Sequence, residues 1–188
     1  MSALRVRPVA NSDLTGIRDI YNHYVRTSTV TYDEIESTED DWAQKKAKVS
    51  AAGIPFLVAE TDAGELLGYA LGQPWSPKSA YRFTIENSVY LAPSAAGRGI
   101  GWALLAEFLD ACRRAGLRQV IAVIADRGAD ASIALHRKAG FVDVGRLTEV
   151  GEKFGESQGV YFLQKSLAST GPGPSTGSGT EPLRRPEA

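Results

Sequence analysis

Pro93-Ser94-Ala95-Ala96-Gly97-Arg98-Gly99-Ile100-Gly101-Trp102-Ala103-Leu104-Leu105 joins a strand-like run to an amphipathic helix. Glycines at 97, 99 and 101 let the backbone turn sharply and aim several N–H groups one way. The helix that follows starts with its positive dipole end at the same spot. Such a nest suits a phosphate or pyrophosphate, and Arg98 adds charge to it. It is not a dinucleotide-binding fingerprint, because Trp102 stands where that pattern needs glycine or alanine. Nor is it a P-loop, since Gly-Lys-Ser/Thr is absent. On the motif alone, a merely flexible strand-to-helix connection stays open as the plainer reading.

Outward from this loop, Arg82 to Leu91 reads as the preceding strand and Gly101 to Ala115 as the helix, with Gly116 at its C-terminal end. Upstream, Leu4 to Pro8 is a short strand. Asn11 or Ser12 caps a helix carrying Leu14, Ile17, Ile20, Tyr21, Tyr24 and Val25 at helical spacing. Thr27 to Tyr32 is a loop. Ser37 or Thr38, with Glu39, Asp40 and Asp41 behind it, opens a second helix. Phe56 to Thr61 and Leu66 to Gln73 are strands about the Asp62–Glu65 turn. Downstream, the continuous apolar run Val120 to Ala125 is a strand buried on both faces. Asp130 to Ala139 is a helix closed by Gly140, and Phe141 to Val150 and Val160 to Leu167 are the last strands. An antiparallel meander with one crossover helix predicts an α+β fold rather than a doubly wound sheet.

The 188 residues are 43% hydrophobic and 23% charged, with a formal net charge of -1. That balance describes one globular domain and disfavours a nucleic-acid partner, which needs a basic face. One cysteine and two histidines exclude a disulfide framework and leave a metal site without ligands. Cys112 falls in a helix-like run, which favours a buried apolar thiol over a nucleophile. No apolar run approaches the ~20 residues of a membrane span, and the start lacks a signal-peptide core, so a cytoplasmic location is expected. Residues 169–188 hold 4 of the 19 glycines and 4 of the 9 prolines, a composition expected to be disordered. The folded unit is then 1–168.

Strand alternation puts Thr84, Glu86, Ser88 and Tyr90 on one face, with Phe83, Ile85, Val89 and Leu91 on the other. A carboxylate in mid-strand is costly unless it is paired or used, so Glu86 is either a working base or a harmless residue on a solvated face. His136 lies one turn after Ser132 beside the apolar stripe Ala131, Ala134 and Leu135.

The strand, the loop Gly97-Arg98-Gly99-Ile100-Gly101, and then Ala131-Ser132-Ile133-Ala134-Leu135-His136-Arg137-Lys138-Ala139-Gly140-Phe141 resemble the GNAT superfamily of acetyl-CoA-dependent N-acetyltransferases. Asn22-His23-Tyr24, Thr27-Ser28-Thr29-Val30, Gly72-Gln73-Pro74-Trp75, Thr84-Ile85-Glu86-Asn87-Ser88-Val89-Tyr90 and Val150-Gly151-Glu152-Lys153-Phe154-Gly155 are similar to its phosphinothricin and methionine sulfoximine acetyltransferase branch. The resemblance spans about residues 4 to 167. It implies a mostly antiparallel twisted sheet flanked by about four helices, and acetyl transfer from acetyl-CoA to a small primary amine, without a metal. It also implies a homodimer.

By the same resemblance Glu86 is the base, directly or through water. The segment Val89-Tyr90-Leu91, through the amides of Val89 and Leu91, binds the pantetheine arm and polarises the acetyl carbonyl. Gly97, Arg98, Gly99, Ile100, Gly101 and Trp102 form the phosphate side. His136 is either the acid that protonates the departing thiolate or a structural histidine packed under the cofactor. Tyr32, Trp75, Lys78, Tyr81 and Ser88 flank the expected amine pocket, with core packing the alternative for Trp75 and Tyr81. Four places depart from the branch: Ala96 replaces Gln or Arg, Ser76 and Lys78 replace arginines, Ala129 replaces Asn, and Ser157 and Gly159 replace Trp and Asp. Two other readings stay open, the second from another class of function. One is acetylation of a peptide N-terminus or an aminoglycoside. The other is an acyl-CoA-binding regulatory module without turnover.

Overall fold

The computed structural model describes residues 4–167, so the tail 169–188 lies outside the described residues. The elements run Leu4–Pro8 (β1), Leu14–Thr27 (α1), Glu39–Ala51 (α2), Phe56–Thr61 (β2), Leu66–Pro74 (β3), Thr84–Leu91 (β4), Ile100–Arg114 (α3), Gln119–Ala125 (β5), Asp130–Lys138 (α4), Val142–Lys153 (β6) and Glu156–Ser166 (β7). The strands form one sheet in the order β1-β2-β3-β4-β5-β7-β6. Every neighbouring pair is antiparallel except β4–β5, which the α3 crossover makes parallel. This is the α+β fold the element order called for.

Local chemistry explains most boundaries. Thr38 caps α2: its hydroxyl accepts from the Asp41 N–H, and the Asp41 carboxylate accepts from the Thr38 N–H. Neither Asn11 nor Ser12 caps α1. A short 3-10 turn occupies 11–13, and Asp13 instead accepts from the Ala10 N–H at 2.7 Å while holding Arg7. Gly116 and Gly140 follow α3 and α4 at φ +76 and +83, the left-handed conformation that ends a helix cheaply.

Three strands differ from expectation. β6 and β7 extend into 151–159, where the apolar pattern fades into Gly, Glu, Lys, Ser and Gln, because a tight turn at Phe154-Gly155 keeps them paired. β5 is not buried on both faces: Val120, Ala122 and Ile124 are buried, while Ile121 and Val123 are half-buried. Ile121 pairs with Glu86, so that incompletely covered face is the one Glu86 occupies.

The two faces of the sheet carry different helices. On one, Tyr21 of α1, Trp42 of α2, Tyr69 of β3 and Tyr90 of β4 pack with ring centroids 5.2–5.6 Å apart. On the other, Leu104, Leu105, Phe108 and Cys112 of α3 are fully buried. A Cβ on Gly72 of β3 would meet the Phe108 ring at 3.3 Å and Ile85 at 2.9 Å. Glu86, Ser88 and Tyr90 therefore belong to the α1–α2 face, and Ile85, Asn87, Val89 and Leu91 to the α3–α4 face.

Candidate active site

β4 and β5 pair only over Thr84–Gln119, Ile85–Val120 and Glu86–Ile121. Beyond Glu86, β4 stays with β3 as far as Leu91, while β5 follows β7 as far as Ala125. The sheet thus opens into a V whose apex is Glu86. The β3–β4 register is unbroken through this region, so no bulge on β4 is needed to open it. Ala92 donates its N–H to Leu67 O on the β3 side. Alternation then sends the N–H groups of Leu91, Val89 and Asn87 to the β5 side, into the V.

Glu86 is half-buried, and its carboxylate has no hydrogen bond or ion pair among the described residues. Desolvation pushes its pKa above the ordinary 4.5, the direction a general base working near neutrality requires. It shares its face with Tyr90, whose phenol is pushed up to about 12, chiefly by burial.

The glycine loop lies at the open end of the V. Gly97 and Gly99 take φ +73 and +77, and the amides of Gly97 through Gly101 find no backbone acceptor among the described residues. Gly101 plays a different part from the one its spacing proposed. It sits inside α3, where a Cβ would lie 3.3 Å from Leu135 of α4 and 3.5 Å from Leu91. It therefore serves close packing, not the turn. Arg98 is exposed, and Trp102 is 40% exposed with the Lys138 ammonium 4.7 Å from its ring centroid.

His136 is 2% exposed. Its buried companion on α4 is Ile133, whereas Ala131 and Ala134 of the expected stripe face solvent. Its Nδ1 lies 2.8 Å from Ser132 O, and its Nε2 lies 2.9 Å from the side-chain nitrogen of Asn87. Asn87 escaped the sequence reading, although it is the one polar residue on the apolar face of β4.

The other expected pocket residues divide into two groups. Trp75, Lys78 and Tyr81 occupy the β3–β4 connection beside the Glu86 end of the strand. Trp75 is half-buried edge-on to Phe162, Lys78 is exposed, and Tyr81 is 45% exposed. Tyr32 is placed elsewhere, as a latch: its hydroxyl donates to Gly159 O at 2.5 Å and its ring covers Gly151. The buried Lys153 ammonium donates to Thr31 O at 2.8 Å, so the α1–α2 loop is tied twice to the β6–β7 hairpin. Gly159 fits only because it lacks a side chain, since a Cβ there would meet Asp126 Oδ2 and Leu147 O at 2.5 Å. Cys112 is buried, with its thiol pushed up to about 12, which removes it as a nucleophile. No cluster of metal-ligating side chains is found, and no helix is long and apolar enough to cross a membrane, among the described residues.

Residues 17–141 match the model of the acetyltransferase (GNAT) family. The chain belongs to this family. A phosphinothricin N-acetyltransferase of Alcaligenes faecalis is 45% identical over 88% of this chain and 83% of its own length. An L-methionine sulfoximine/L-methionine sulfone acetyltransferase of Pseudomonas paraeruginosa is 39% identical over 88% of this chain and 95% of its own. Among solved structures, a phosphinothricin acetyltransferase from Sinorhizobium meliloti in complex with acetyl-CoA superposes with a TM-score of 0.85 at 37% identity, covering 94% of this chain and 95% of that one. This GNAT chain is an N-acetyltransferase that uses acetyl-CoA. Its own geometry fits that donor: free loop amides for phosphate, inward β4 amides in the V, and an unpaired carboxylate at the apex.

Proposed function

We propose that the enzyme acetylates the α-amine of a small amino acid or amino-acid analogue of the phosphinothricin or methionine sulfoximine kind. Both substrates are held together, and the amine attacks directly. The observation that supports this most is Glu86, an unpaired and partly desolvated carboxylate where β4 and β5 part, with the Val89 and Leu91 amides beyond it. An ammonium group cannot attack a thioester, and at a peptide-like pKa near ~8 roughly one tenth of the amine is neutral at pH 7. Glu86 takes a proton from the bound ammonium, directly or through one water. The freed amine then bonds to the acetyl carbon, the C–S bond breaks, and CoA leaves as the thiolate, which takes up the proton the new amide nitrogen gives up. The Val89 and Leu91 amides hold the oxygen that gains charge, and being fixed in a strand they need no reorganisation. The free amides of Gly97–Gly101, with Arg98, bind the phosphates of acetyl-CoA, whose thioester supplies the acetyl group.

Lys78 offers a single point charge for the substrate carboxylate. Trp75, Tyr81 and Ser88 line the acceptor side, and Tyr32 fixes the loop that closes it. A second copy completes the assembly through β6, an edge strand. Val142, Val144, Leu147 and Val150 on it, and Phe154 at its turn, are 48–61% exposed, an apolar band that solvent disfavours. The proposal is tested by steady-state acetyl transfer with amino acids, their phosphinate and sulfoximine analogues, a peptide N-terminus and an aminoglycoside. Turnover of the first two groups with little of the others is expected. Turnover of a peptide or aminoglycoside alone moves the substrate assignment, and acetyl-CoA binding without turnover of any amine identifies a regulatory module.

A further inference from the structure

Both ring nitrogens of the buried His136 are in use, and they fix its tautomer. Nδ1 faces the carbonyl oxygen of Ser132, one turn earlier on α4, at 2.8 Å. A carbonyl oxygen only accepts, so Nδ1 carries a proton. Desolvation is the larger influence on the ring and lowers its pKa, opposed only by the Ser132 bond. The ring is therefore neutral at pH 7, and Nε2 holds a lone pair. Its neighbour at 2.9 Å is the side-chain amide of Asn87, which must present its NH2 group there. That orientation turns Asn87 Oδ1 away from the ring, and Oδ1 is buried with no partner among the described residues. Asn87 as a whole is 4% exposed.

Buried acceptors without a donor are uncommon, because each forfeits the hydrogen bonds water would have made. This one stands at an informative place. Asn87 is the first residue of β4 past the last β5 pairing, on the face that carries α3, α4 and the glycine loop. We propose that His136 and Asn87 form a positioning pair for the acyl donor, in which His136 holds the Asn87 amide by its NH2 end and Asn87 Oδ1 accepts from an amide N–H of the donor's pantetheine arm. The matching ligand chemistry is a secondary amide. The arm of acetyl-CoA contains two, while its thioester sulfur offers no donor. This rests on the reading that the V takes acetyl-CoA. It also removes His136 from the list of proton donors: the only N–H of the neutral ring is committed to Ser132 O, and Nε2 has none to give. Asn87 touches the donor, and His136 acts through Asn87.

Three measurements test the pair. The chain has two histidines, so long-range 15N–1H correlation spectra, assigned with a His23→Gln variant, read the wild-type tautomer directly. A neutral Nδ1–H ring is expected at pH 7, with and without CoA. Calorimetric titration with CoA itself is expected to show Asn87→Leu, similar in size but without hydrogen bonds, binding about tenfold more weakly. His136→Leu should match it, and the double variant should be no weaker than either single one. His136→Gln keeps an acceptor for the Asn87 amide and should bind CoA within about threefold of wild type. In turnover it should keep a kcat pH profile of wild-type shape.

An Nε2–H tautomer in the wild type overturns the proposal without any variant being made. So does CoA binding by Asn87→Leu that equals wild type. A loss of kcat of about a hundredfold or more in His136→Gln, with CoA affinity intact, makes His136 an acid and overturns the positioning role. Failure of the wild type to bind CoA at all refutes the reading of the V instead, which keeps the two failures distinguishable.

Discussion

Replacing Glu86 by Gln keeps the side chain's size and removes its capacity to take a proton. In the wild type the substrate arrives mostly as ammonium, and Glu86 carries the proton away, so the acid limb of kcat/KM reports the carboxylate and not the amine. Burial raises the Glu86 pKa above its ordinary 4.5, and the base form is lost as pH falls through that raised value. Above it, the profile is level up to the amine pKa near ~8. In Glu86→Gln only amine that is already neutral can react. Its rate should rise about tenfold per pH unit up to pH ~8 and then level off. A positioned base contributes about 10²- to 10⁴-fold. The half-buried carboxylate has no competing partner among the described residues, so a loss of at least about a hundredfold is expected at pH 7. The assay is steady-state release of CoA thiol from about pH 6 to about pH 9, with KM for acetyl-CoA as the control on folding. If the variant keeps wild-type kcat/KM and the same acid limb, Glu86 is not the base.

Gly72→Ala places a Cβ 2.5 Å from Ile54 and 2.9 Å from Ile85; overpacking of that kind costs about 1–3 kcal/mol, to be read from denaturant midpoints. Lys153→Met loosens the Thr31 tie and should raise KM for the amine several-fold while leaving KM for acetyl-CoA unchanged. Arg7 bridges Asp13 and Glu60, and it lowers both carboxylate pKa values. The stability those groups supply is complete above their unfolded values and fades as pH falls through the lowered ones. Thermal melts of Arg7→Gln should therefore lie furthest below wild type near neutrality and converge with it in acid. If the proposed second copy docks on β6, wild type sediments as a dimer and Leu147→Asp on the exposed β6 edge as a monomer; a monomeric wild type, or an unchanged mass in the variant, removes β6 as an interface.

What the sequence made legible follows the range of the interactions involved. The glycine loop and the capped start of α2 rest on contacts within a few residues, and the bounds of β2 and the start of α4 are likewise printed in the local pattern, although β2 itself pairs with the distant β1. The long β6–β7 hairpin is not, because its outer half is held by a turn with Phe154 at φ +56, a conformation no pattern assigns to phenylalanine. The same division runs through the site. Glu86 is visible as a carboxylate breaking a strand, and the resemblance gives it a task. Tyr32 and Lys153 are visible as residue types, but the latch they form joins positions 127 and 122 residues apart. Asn87 is the instructive case. Its signal was present as a lone polar residue among Ile85, Val89 and Leu91, yet its meaning depends on which nitrogen of a histidine 49 residues away holds a proton. A buried polar residue on an apolar face needs a partner, so the sequence could have raised the question. Only the fold brings His136 near enough to answer it, and the second atom of the Asn87 amide, left without a partner among the described residues, is what directs attention to a ligand.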